Sequence, residues 1–158
     1  AQYLPLIQPT GIVLGEGIGC VALSVQPNPQ CSCELLGVVT LTDNENLTNS
    51  SESALRYLIH ACLNKANLSP THIDGVKVHG VGGNSDEMEI RVLQDLFPHA
   101  QQLSLKARMG HTLGASGALE SAFLFEQFKN NEQKCGYFLN YFLGFGGSNI
   151  AWVIKVGQ

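Results

Sequence analysis

A chain of 158 residues is the size of one domain and buries roughly two thirds of the surface its unfolded form exposes, so a core needs no disulfide or metal staple. Hydrophobic residues make up 44% and charged residues 14%, well under the quarter or so charged in ordinary soluble domains, so much of the chain must lie inside or against another protein. A net charge of -4 with no Lys/Arg run leaves no basic stripe and argues against a nucleic-acid partner.

From Gly11 to Val25, β-branched and apolar residues surround closely spaced glycines. Pro27-Asn28-Pro29 then forces a turn and Cys33 to Asp43 resumes the β pattern, which predicts a hairpin of two largely buried strands over 11–42. Polar residues from Asp43 to Ser51 form a loop. Leu55, Leu58, Ile59, Cys62 and Leu63 follow at helical spacing behind serine caps, and Asn67 to Pro70 ends that helix.

Val76 to His79 reads as a short strand that stops at Gly80-Val81-Gly82-Gly83. Ser85 caps a second helix whose Ile90, Leu93, Leu96 and Phe97 face inward until Pro98. Gln102 to Leu105 is another short strand. The Gly/Ala run after His111 opens a third helix through Leu119, Phe123 and Phe128, and its small residues predict close backbone approach and a buried, central position. Tyr137 to Phe142 and Ile150 to Val156 read as strands joined by LGFGGSN, whose glycines predict backbone pressed against a neighbour. Strands alternate with helices in an α/β pattern, and no repeat or composition break marks a second domain within 1–158.

Five cysteines is an odd number; Cys31 and Cys33 stand too close for a zinc ribbon, and no second pair follows, so reduced thiols in a cytoplasmic protein are expected. No apolar run reaches the roughly eighteen residues of a membrane span, and AQYLPLIQPTG lacks the basic stretch of a signal peptide. The N-x-S/T triplets at Asn46, Asn49 and Asn67 are therefore read as chance.

The chemistry gathers on two loops. His79 ends one strand before a glycine turn, and His111 follows another strand at a helix entrance, the positions at which open α/β sheets deliver side chains into one crevice. Two neutral imidazoles each donating an N–H would bind an oxygen that becomes negative during a reaction, such as a thioester carbonyl turning into an enolate. Lys106 nearby would favour the neutral rings and need a carboxylate partner, for which Glu89 is the candidate. His60, His72 and His99 have no such logic and read as structural. GEGIG lacks the third glycine of a dinucleotide fingerprint, GASG is not a nucleophile elbow, and no H-E-x-x-H or carboxylate cluster suggests a metal.

In order, GIVLGEGIGCVALSV, KVHGVGGNSDEMEI, SLKARMGHTLGASGALES and LGFGGSN resemble the C-terminal half of a β-ketoacyl-[acyl carrier protein] synthase, a condensing enzyme of the thiolase-like superfamily. The resemblance runs from about Gly11 to the C-terminus. It implies a thiolase-like half, a mixed central sheet with helices packed on it, in which 11–42 belongs to the end of the N-terminal half and 51–158 to the C-terminal half. It also implies decarboxylation of a malonyl thioester, assisted by His79 and His111, followed by Claisen attack on an acyl-cysteine. Lys106 matches the family's active-site lysine. Glu89 matches the acidic residue after the HGTGT motif, with Asp86 supporting it, and Phe145 matches the gating phenylalanine, flanked by Gly144 and Gly146. No cofactor or metal is implied, since substrates ride as phosphopantetheine thioesters on acyl carrier protein.

The implied partners are acyl carrier protein and an N-terminal ketosynthase half or a complete ketosynthase subunit, in a dimeric assembly. Departures from the pattern are HGVGG for HGTGT, a short stretch between GASG and LGFGG, and an asparagine displaced to Asn140. None of Cys20, Cys31, Cys33, Cys62 and Cys135 has the small-residue helix-start setting of the family's nucleophile. Three readings stay open: half of an active condensing enzyme, a non-catalytic subunit similar to chain-length factors, or a thioester-binding module.

Overall fold

Segregation of the inward-facing residues by period, two for strands and 3.6 for helices, sets the architecture. The computed structural model describes residues 11–26, 33–44, 48–83, 85–129 and 135–157. Its strands are β1 (Cys33–Thr42), β2 (Ile73–Lys77), β3 (Gln101–Leu103), β4 (Gly136–Leu143) and β5 (Ser148–Val156); its helices are α1 (Glu52–Lys65), α2 (Ser85–Leu96), α3 (Lys106–Met109) and α4 (Ser116–Lys129). The strands form one mixed sheet in the order β1-β5-β4-β2-β3. β1 and β4 run antiparallel to β5, whereas β2 runs parallel to both β3 and β4.

Helices cover both faces. On one face Leu55, Leu58, Ile59, Cys62 and Leu63 of α1 and Val92 and Leu93 of α2 pack against Val76, Leu139, Tyr141, Ala151 and Val153. On the other, Leu124 and Phe128 of α4 meet Phe138, Ile154 and Val156. Consecutive residues of β4, Phe138 and Leu139, thus enter different cores, as the strand period demands. Each fully buried aliphatic side chain contributes about 1.5–3 kcal/mol. Ser51 caps α1 by accepting from Ala54 N at 3.2 Å, and Glu52 and Lys65 complement the dipole at its two ends.

The predicted hairpin over 11–42 is not formed. β1 pairs with β5, and residues 11–26 contain no strand, only an isolated parallel bridge between Leu14 and His111. The side chains of this segment are not buried either: Ile18 is 91% and Val25 98% exposed. Its glycines do a different job, because a Cβ on Gly15 would overlap the Met109 carbonyl oxygen and one on Gly19 would overlap the Leu119 backbone. The segment is an extended strap laid against the α3–α4 region. The close approach predicted for the Gly/Ala run is made from the strap, since a Cβ at Gly114 or Gly117 would meet nothing within 4 Å.

The β4–β5 turn behaves as predicted. Gly147, at φ +71°, brings its backbone so close to Asp43 that a Cβ would overlap the Asp43 carbonyl, and Asp43 N donates to Gly147 O at 2.8 Å. Phe145 at the same turn is 65% exposed.

Candidate active site

Parallel strands β2 and β3 end on the same edge, so the loops that follow them converge. β2 stops at Lys77, and His79 leaves it two residues later. β3 leads into the single turn of α3, which Gly110 ends at φ +73°, and His111 follows. The strap holds this second loop from outside: His111 N donates to Val13 O at 2.7 Å and Gly15 N to His111 O at 3.1 Å. Gly11 N reaches Gly82 O at 2.8 Å, so one extended segment ties both histidine loops. The rings of His79 and His111 meet edge to face, with centroids 5.8 Å apart and planes at 86°.

Backbone contacts select the tautomers. Leu113 N donates to His111 Nδ1 at 3.0 Å, and Leu143 N approaches His79 Nδ1 at 3.5 Å. An accepting Nδ1 leaves the proton of a neutral ring on Nε2. Burial lowers His79 well below its ordinary 6.5, and Lys106, Lys77 and His111 push it further down. Burial also lowers His111, followed by Lys106, with Glu120 pulling upward and Lys77 downward. Both rings are neutral donors at neutral pH.

Lys106 is 1% exposed, and its Nζ donates to the main-chain oxygen of His79 at 2.8 Å. Its carboxylate is not Glu89. Glu120 of α4 stands with Oε1 2.8 Å from Lys106 Nζ and Oε2 2.8 Å from Lys77 Nζ, all three groups 1% exposed. Burial alone would raise Glu120, but the two ammonium groups outweigh it and hold its carboxyl below the usual range. Glu89 is engaged elsewhere: it accepts from His79 N at 2.6 Å, from Gly80 N at 2.8 Å and from the Tyr141 hydroxyl. Asp86 continues the same pattern, accepting from Val81 N at 3.1 Å and Gly82 N at 2.9 Å. The two acids on α2 therefore tie down the glycine turn that carries His79, with burial raising the Glu89 carboxyl.

Glu120 and Lys77 were missed by sequence reasoning, although each left a signal. Ser116, Glu120, Leu124 and Phe128 recur every four residues on the buried stripe of α4, and Lys77 stands between Val76 and Val78 in a buried strand. A charge on an otherwise inward stripe is rare unless paired. Gly144 and Gly146 sit with Phe145 in the β4–β5 turn, whose approach strand supplies the Leu143 N–H to His79. His72 fits its structural reading by accepting from Ser69 N at 3.0 Å, and His60 and His99 are exposed.

Of the cysteines, Cys20 and Cys135 are exposed, Cys33 is half-buried and Cys62 is buried. Burial pushes the Cys62 thiol up to about 11, the reverse of what a nucleophile needs. Cys31 lies outside the described residues. Asn140 is buried on β4, its amide approaching Phe138 O at 3.4 Å. Among the described residues no three His, Cys, Asp or Glu side chains are grouped as metal ligands, and no helix is long and apolar enough to cross a membrane.

Comparison with known proteins shows the family and the fold. The family described as "Beta-ketoacyl synthase, C-terminal domain" matches residues 32–133. The chain is 32% identical over 120 residues to Nodulation protein E of Rhizobium leguminosarum bv. trifolii and 31% identical over 123 residues to 3-oxoacyl-[acyl-carrier-protein] synthase 2 of Coxiella burnetii. Each match covers 70% of this chain and 30% of the relative, so the chain spans under a third of the length of these proteins. Its fold is that of one chain of the complex between the ketosynthase ApeO and its chain length factor ApeC from Xenorhabdus doucetiae, with a TM-score of 0.72 and 24% identity over 84% of this chain and 40% of that one. A β-ketoacyl synthase from Burkholderia phymatum gives a TM-score of 0.71 and 24% identity over 80% of this chain and 38% of that one.

Proposed function

Because the chain belongs to the β-ketoacyl synthase family through its C-terminal domain, we propose that it supplies the two-histidine and lysine part of a decarboxylative Claisen condensation. The observation that carries this reading is the pairing of His79 and His111 at 5.8 Å with both Nδ1 atoms facing backbone N–H donors. The thioester carbonyl oxygen of a malonyl group receives the two Nε2–H donors. Its terminal C–C bond breaks, CO2 leaves, and the electron pair enters the enolate, whose oxygen becomes negative between the two rings. The enolate carbon then attacks the carbonyl of an acyl-cysteine thioester, forms the new C–C bond and expels the cysteine thiolate. Lys106, anchored by Glu120, fixes the main chain of His79, while Glu89 and Asp86 fix the turn after it. Phe145, between Gly144 and Gly146, gates entry from the exposed turn.

The cysteine comes from a ketosynthase N-terminal half. Two features support that partner: the chain spans about 30% of its relatives' length, and Ile12, Leu14, Ile18 and Leu23 of the strap are exposed, as is Leu113. The substrate class is a phosphopantetheine thioester delivered by acyl carrier protein in the cytoplasm, without a resident cofactor. A chain-length-factor-like role in a dimer with a complete ketosynthase is the second reading, favoured by HGVGG at the site turn. One assay separates them, CO2 release from malonyl-[acyl carrier protein] by this chain joined to an N-terminal half. The condensing reading expects His79→Ala and His111→Ala each to lower the rate by about 10²–10³. Rates unchanged from the unsubstituted protein in both variants overturn it.

A further inference from the structure

Glu120 is one buried carboxylate facing two buried ammonium groups. Lys77 Nζ and Lys106 Nζ each stand 2.8 Å from one of its oxygens, and all three residues are 1% exposed. With both lysines protonated the trio carries one positive charge more than Glu120 neutralises, a costly arrangement away from water. Lys106 has a second task, since it donates to His79 O. Lys77 rests instead on an aromatic face, its Nζ 3.3 Å from the centroid of the Phe142 ring, which stacks on Trp152 at 5.1 Å. This ring platform and Glu120 hold the ammonium in place from two sides.

We propose that Lys77 is a positioning residue of the two-histidine site: it fixes the Glu120 carboxylate that holds Lys106, and its charge adds to burial and Lys106 in favouring the neutral, donating form of both imidazoles. Its effect on turnover rests on the condensing reading; its effect on the histidines does not.

Every charged group that faces Lys77 fits this role. Glu120 arrives from α4, Lys106 from α3 and Glu89 from α2, while His79 lies two residues ahead on its own strand exit. Burial pulls Lys77 from 10.5 to about 7, with Glu120 resisting and Lys106 assisting the fall. Its charge is thus present below about pH 7, the range in which an ordinary histidine becomes protonated. Both histidines feel it as a downward push on their own protonation.

The test is histidine nitrogen NMR across pH 4–8 on the chain and on its Lys77→Met and Lys77→Gln variants, paired with the decarboxylation assay. Loss of the charge is expected to raise the midpoints of His79 and His111 by about half a unit or more in both variants. Glutamine keeps a hydrogen bond to Glu120 and is expected to retain more activity at pH 8 than methionine, which keeps none. Unchanged midpoints in a folded variant of either kind overturn the proposal. Absence of decarboxylation in the unsubstituted protein would remove the condensing reading and leave the titration as the judge of Lys77.

Discussion

The rings of His79 and His111 stand 5.8 Å apart at 86° although 31 residues of sequence, carrying α2, β3 and α3, separate them. Neither side chain could be brought there by local structure. Parallel pairing of β2 with β3 places the two following loops on one edge, and the strap from Gly11 to Gly15 bonds to both.

Rate should fall with acid at lower pH than ordinary imidazoles dictate. The donating form is neutral, so protonation inactivates; burial holds both native values below 6.5, so under the proposed condensing role the decarboxylation rate falls to half only below pH 6.5. A profile of kcat/KM against pH with its acid limb at or above 6.5 would contradict the assigned environment.

Glu120 should be the costliest single polar residue to neutralise. Glu120→Gln removes the carboxylate that pairs with both buried ammonium groups, and a loss of about 3–5 kcal/mol is expected in urea titration. A loss under about 1 kcal/mol would mean that water reaches the cluster.

Glu89 and Tyr141 should differ in a defined order. Glu89→Gln turns an NH2 toward a donor, since His79 N, Gly80 N and the Tyr141 hydroxyl all point at this carboxylate, and about 3 kcal/mol of stability is expected to go. Tyr141→Phe removes one donor only and is expected to cost about 1.5 kcal/mol by the same titration. The reverse order would show that the hydroxyl, rather than the backbone turn, is the main partner.

Glycines of the site region should split into two classes. Gly147→Ala meets the Asp43 carbonyl at a φ of +71° and is expected to cost at least about 2 kcal/mol. Gly117→Ala, with nothing within 4 Å and a place in the first turn of α4, is expected to be neutral or to gain up to about 1 kcal/mol. Thermal melts of this chain, at about 2–4 °C per kcal/mol, would show the contrast.

Residue order alone determined the periodic elements: the α1 stripe from Leu55 to Leu63 with its serine cap, the strands running into His79 and Lys106, and the glycine turn that presses on Asp43. These are local, because burial period, caps and positive φ are written within a few residues of each other. It also singled out His79, His111 and Lys106, since strand-end position is a one-dimensional property. Tertiary structure decided the pairings. β1 chose β5 over the 11–26 segment because a strand pairs with whichever edge the packed helices present, and the strap's glycines were needed against α3 and α4 instead. Lys106 chose Glu120 over Glu89 because a charge inside the protein is neutralised by the nearest carboxylate in space. Glu89 was already committed to the backbone of the turn, and no spacing in the chain encodes that competition.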